Sequence, residues 1–100
     1  MGDDGAEEIL ENFVFELCGS RAAWQATPNV PTTLQLETIS ARISNDGYTA
    51  ILQTHLCYTF EGRASLTLYP SGKLMIKCED RELALKIAKH HLSSWLADEA

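Results

Sequence analysis

The sequence predicts an α+β domain, an antiparallel β-sheet meander with helices packed on one face. Two observations carry that prediction. Apolar residues alternate with period two from Tyr48 to Glu79, between turn signals, and they recur at helical spacing on either side, over 33–44 and after Asp80. Length and composition agree, because 100 residues with 45% hydrophobic and 22% charged side chains fill one core and starve two.

At the start, Asp4-Gly5-Ala6-Glu7 has capping-box spacing, and Ile9, Leu10, Phe13, Val14, Leu17 and Cys18 follow at helical intervals before Gly19. This predicts an amphipathic helix over about 6–18, which makes 1–20 an acidic helical segment ahead of a single domain at 21–98. A shorter helix followed by a strand over 12–17 competes with it, since Phe13-Val14-Phe15 is also strand chemistry. Residues 20–31 hold Trp24, Pro28 and Pro31 and read as an irregular connection with at most a short edge strand, because proline cannot donate to a ladder. Over 33–44, Leu36, Ile39 and Ile43 share a helical face, Thr32-Thr33-Leu34-Gln35 offers a capping-box start, and Asn45-Asp46-Gly47 is a stop.

From Tyr48 a single strand is expected to run to Thr59. Ala50, Leu52, Leu56 and Tyr58 fall on one side of it, and Ile51, Gln53, His55, Cys57 and Thr59 on the other. Glu61-Gly62 turns the chain, 65–69 forms a second strand, Pro70-Ser71-Gly72 turns it again, and 74–79 forms a third. Asp80 caps a last helix whose Leu83, Ile87, Ala88, Leu92, Trp95 and Leu96 make an apolar stripe, with Arg81, Lys86 and Lys89 toward water.

Charge and cysteine usage narrow the function. No apolar run reaches the roughly 18–20 residues that cross a bilayer, and the N-terminus is acidic where a signal peptide is basic, so a soluble cytoplasmic chain is expected. Cys18, Cys57 and Cys78 are an odd set without a C-x-x-C pair, which argues for reduced thiols and against a disulfide framework or zinc ribbon. The net charge of −6 is concentrated at the ends: residues 1–33 carry six acids against Arg21 alone, while the middle is close to neutral.

Two residues apart on one strand, His55 and Cys57 would share a face and could supply half of a soft metal site. The remaining donors would have to come from Cys18, Cys78, His90 and His91, yet Cys78 points the other way and consecutive helical histidines diverge by about 100°. No metal and no cofactor are therefore expected. Nothing indicates an activated thiol or an oxyanion site, so no catalytic residue is assigned and a non-enzymatic protein is expected. Gly72-Lys73 belongs to a hairpin and lacks the spacing of a phosphate loop.

What remains is the uncovered sheet face, where Gln53, His55, Thr67, Tyr69, Met75 and Lys77 mix apolar area with orienting polar groups and form the expected binding surface. A protein partner or a second copy of the chain is favoured there over a nucleic acid, since net negative charge repels phosphate. Neither a membrane nor a small-molecule substrate is expected. The alternative is an adaptor that meets its partner through the acidic N-terminal helix.

Two segments resemble one repeat of the TATA-box-binding protein family. Leu34-Gln35-Leu36-Glu37-Thr38-Ile39, with Arg42, Asn45 and Tyr48, is similar to the pattern of the family's first helix, and Leu66-Thr67-Leu68-Tyr69-Pro70-Ser71-Gly72-Lys73 to its strand and turn. The likeness spans 34–95. It implies a sheet face able to sit on a DNA minor groove, with aromatic wedges between base steps. Tyr69 stands where the family has phenylalanine, and the glycine expected after the last strand is replaced near Cys78-Glu79. The family carries two repeats in one chain where this chain holds one, so the resemblance implies a homodimer.

Overall fold

The structure, a computed structural model, describes residues 7–9, 13–17, 23–29, 33 and 35–99, with side chains over 13–17, 23–29, 33 and 35–93. It is α+β, as the sequence predicts. Seven antiparallel strands run β1 (Glu7–Ile9), β2 (Phe13–Leu17), β3 (Ala23–Pro28), β4 (Thr49–Gln53), β5 (Tyr58–Glu61), β6 (Ser65–Leu68) and β7 (Leu74–Lys77). Helix α1 (Leu36–Asn45) lies between β3 and β4, and α2 (Arg81–Glu99) ends the chain. The sheet order is β1-β2-β3-β7-β6-β5-β4, so the last four strands form a meander whose final member returns to lie beside β3.

The helix expected over 6–18 is not formed by the described residues. Residues 7–9 and 13–17 are paired strands, with Glu8 opposite Phe15 and Ile9 opposite Val14. The competing reading of a strand over 12–17 is the one the fold takes, although β1 replaces the helix meant to precede it. The physical reason is that Phe13 and Phe15 both reach the core from one side of a strand and are at most 2% exposed, a packing that helical spacing would divide. An acidic N-terminal helix offered to a partner therefore lapses for these residues. The segment read as an irregular connection is also corrected: β3 is an inner strand between β2 and β7, and Pro28 closes it opposite Phe13 rather than interrupting it.

One core fills the space between sheet and helices. Phe13, Phe15, Trp24, Ala26, Phe60, Leu66, Leu68, Leu74 and Ile76 come from the sheet, Ile39 and Ile43 from α1, and Ala84, Ile87, Ala88 and Leu92 from α2. The Phe15 and Trp24 rings stack at 5.3 Å, and Arg81 lies over both, 5.6 and 5.9 Å from their centroids. Arg81 is thus half-buried against aromatic rings, in contrast to the solvent position expected for it, while Lys86 and Lys89 are exposed. Trp95 and Leu96 of the expected stripe lie outside the residues whose side chains are described.

Helix ends follow local chemistry. Asp80 Oδ1 accepts from the backbone N–H groups of Glu82 (3.0 Å) and Leu83 (3.4 Å), the cap that the sequence predicts. Helix α1 instead starts at Leu36 after Gln35, with no side-chain cap, so the expected capping box is not used. It stops at Gly47, whose φ of +99° suits glycine, and the chain then delivers Tyr48 into the core at 4% exposed. Gly62 approaches that ring closely: a Cβ there would lie 2.5 Å from Tyr48 Cδ2 and 2.9 Å from Cε2. Gly62→Ala is expected to destabilise the fold by about 1–3 kcal/mol, read as a lower urea midpoint at unchanged slope.

Candidate functional site

The strand expected to run from Tyr48 to Thr59 breaks in two. Thr54 folds it back: its Oγ1 accepts from the N–H groups of Leu56 (3.1 Å) and Cys57 (3.2 Å), and its hydroxyl donates to the Cys57 carbonyl (3.1 Å). His55 and Cys57 therefore sit in the loop between β4 and β5. They are not two positions on one strand face, and the half metal site read from their spacing has no basis.

A bulge adds a second correction. Ala50 pairs with Phe60, but the next pair is Leu52 with Thr59 and then Gln53 with Tyr58, so Ile51 is the extra residue and parity reverses beyond it. Residues opposite one another across an antiparallel pair share a face. Gln53 consequently lies with Tyr58 on the helix side, at a depression of about 460 Å³ between the start of α1 and the β4–β5 loop, with Gln35, Glu37 and His55. Leu52, expected in the core, joins Thr59 on the opposite face and is 48% exposed.

The remaining four expected residues do come together. The register sets Thr67 opposite Met75 and Ser65 opposite Lys77, and Thr67, Tyr69, Met75 and Lys77 line one shallow depression of about 250 Å³ with Ala23, Ser65 and Ile76. The Tyr69 hydroxyl donates to Met75 Sδ at 3.7 Å, and Lys73 Nζ stands 5.0 Å from the centroid of the Tyr69 ring. A tight turn fixes Tyr69 at the rim: its N–H donates to the Lys73 carbonyl at 3.0 Å, and Gly72 takes a φ of +92°. The predicted surface is thus divided, with four members on the open face and Gln53 and His55 outside it.

The open face also extends further than expected. Ala23 faces Lys77 and Gln25 faces Met75 across β3 and β7, and Gln25 Nε2 donates to Glu16 Oε2 on β2 at 2.9 Å. Sequence pattern alone does not reach these residues, because their segments read as a connection and a helix. The one signal pointing to them is alternation over 13–17, where Phe13, Phe15 and Leu17 alternate with Val14 and Glu16. Elsewhere on this face, the Ser65 hydroxyl donates to the Glu61 carboxylate at 2.8–2.9 Å.

Among the described residues such a face offers apolar area, a thioether, a phenol, hydroxyls, an amide and two cations, Lys77 and, at the rim, Lys73. It can hold a ligand by contact and hydrogen bonding. Among the described residues it presents no nucleophile paired with a base. Cys57 and Cys78 are free thiols, and Cys78 Sγ lies 3.4 Å from the Asp80 carbonyl, away from this surface.

No family model matches the chain, and no curated protein or solved structure is matched by it. Among the described residues, no helix is long and apolar enough to cross a membrane.

Proposed function

We propose that this protein is a non-enzymatic binding module that takes a protein partner on the open face of its sheet and works as a homodimer. The observation that carries the reading is the gathering of Thr67, Tyr69, Met75 and Lys77 at one depression on the face opposite the helices. Apolar atoms of Tyr69 and Met75 supply contact area, while Thr67, Lys77 and the neighbouring Gln25 and Ser65 supply direction. Charge favours a protein over a nucleic acid. The open face carries Lys77 and, at its rim over Tyr69, Lys73 against Glu16 and Glu61, so its cations are balanced by carboxylates, whereas affinity for a phosphate backbone needs an excess of cations.

The homodimer is supported at the edge of the sheet. Strand β4 ends the strand order, has no charged residue, and exposes Ile51 at 58% and Leu52 at 48%. Proteins ordinarily protect such an edge with charge, and pairing β4 with its copy would satisfy the free backbone groups and make the two open faces continuous. The likeness to a TATA-box-binding protein repeat belongs to the same proposal. The described part of its first motif falls on α1 and the residues just after it, and its second on β6 and the following turn, the element types it implies.

Sedimentation over a concentration series tests the dimer: the wild type should pass from monomer to dimer, and Leu52→Lys should remain monomeric. A monomer at every concentration would remove the homodimer. Amide shifts on adding a short A·T-rich duplex test the partner class. They should be absent or vanish at moderate salt, and shifts over 65–69 and 74–77 that survive salt would replace the protein partner with a nucleic acid.

A further inference from the structure

We propose that Asp46, His90 and His91 form a binding site for a divalent transition-metal ion of the zinc type where the end of α1 meets α2, independent of the open-face reading. Consecutive histidines on a helix are expected to diverge, yet these two rings meet edge to face at 4.9 Å, and Asp46 reaches them from 44 residues away. Asp46 Oδ2 lies 2.8 Å from His90 Nε2 and 3.8 Å from His91 Nδ1, and one donor atom from each residue falls within 4.8 Å of the others. Zinc takes nitrogen and oxygen at about 2.0–2.2 Å, which in tetrahedral geometry sets donors roughly 3.3 Å apart. The observed separations bracket that spacing, so the ion requires side-chain adjustment rather than backbone movement.

Placement and chemistry agree. Asp46 caps the C-terminus of α1, where the helix dipole disfavours a carboxylate, so its position there is not explained by helix stability. His91 is 3% exposed and held edge-on by Tyr48 at 5.9 Å, which fixes one donor in advance. His90 and Asp46 remain reachable from solvent through a cavity of about 470 Å³ above them. Two imidazoles with one carboxylate select a borderline ion over calcium or magnesium, which prefer all-oxygen sites, and leave a fourth position for water. In the bound state His90 coordinates through Nε2 with its proton on Nδ1, and His91 through Nδ1 with its proton on Nε2. Arg63 and Lys86 line the same cavity and weaken attraction for a cation, although Arg63 Nε–H is turned to Tyr48 Oη at 3.4 Å.

The test is calorimetric titration of the tag-free chain, stripped with EDTA, with zinc sulfate, followed by cobalt(II) as an absorbing probe of ligand number. Wild type should bind one equivalent, with cobalt visible bands that zinc abolishes. Asp46→Asn and His90→Ala, both at exposed positions and checked for unchanged circular dichroism, should each weaken binding at least about tenfold. His55→Ala, at the exposed histidine of the β4–β5 loop, should leave it unchanged. Absence of saturable binding would overturn the site, as would full affinity in either Asp46→Asn or His90→Ala, or a loss in His55→Ala. None of these outcomes bears on the open face, whose variants lie on other elements.

Discussion

Trp24→Ala is expected to lower stability by about 3–5 kcal/mol, the usual cost of deleting a large buried aromatic side chain. Trp24 is 7% exposed and stands in β3 opposite Leu17 on one side and Ile76 on the other. Its ring stacks on Phe15, Arg81 covers it, and its Nε1–H donates to the Cys78 carbonyl at 3.3 Å, just before α2 begins. Removing it leaves a cavity, an unanswered carbonyl and an arginine over one aromatic ring instead of two. A tryptophan that merely anchored a surface loop would cost far less. Urea unfolding distinguishes these cases: the midpoint should fall steeply at similar slope, and a change under about 1 kcal/mol would contradict an inner-strand role for β3.

Acid should destabilise the protein well above the carboxylate range, through His91. Burial and then the neighbouring His90 pull its pKa from 6.5 to about 4, with Arg63 adding to the depression and Asp46 opposing it. The unfolded chain therefore binds a proton more readily than the folded one between those values. Stability from the neutral imidazole is complete above about pH 6.5 and is lost as pH falls toward 4, after which both states are protonated and no more is lost. The amount is up to about 3 kcal/mol. Unfolding free energies measured in EDTA from pH 7.5 to 4 should decline less steeply in His91→Gln than in wild type, and His55→Gln should follow the wild-type slope. Equal slopes in wild type and His91→Gln would contradict a buried neutral imidazole.

Legibility in the sequence depended on whether structure was specified locally. The β6–β7 hairpin and the start of α2 were readable because Gly72 supplies a positive φ and Asp80 supplies a cap within three residues of where each acts. The β4–β5 turn was not, since Thr54 makes it without glycine, proline or asparagine. The bulge at Ile51 left no mark in the alternation, yet it moved Gln53 to the helix side and Leu52 to the open face, dividing the expected site. β3 takes its identity from β7, about fifty residues later in the chain, and local pattern carries no information about that partner. The approach of Asp46 to His90 and His91 has the same origin, a contact between the ends of two helices that neither helix encodes alone. On the open face, Thr67, Tyr69, Met75 and Lys77 were legible because β6 and β7 are adjacent, regular and joined by a short turn.

The open face as the binding surface is tested most directly by selecting peptides from a displayed random library against the wild-type protein. Their contacts are then mapped by amide shifts in wild type and in Met75→Asp, a half-buried open-face position whose substitution leaves the core residues in place. The selected peptides should give shifts that centre on 65–69 and 74–77, and their affinity should fall at least about tenfold, about 1.4 kcal/mol, in a folded Met75→Asp variant. Peptides that bind Met75→Asp as well as wild type, or whose shifts map to the helices, would contradict it.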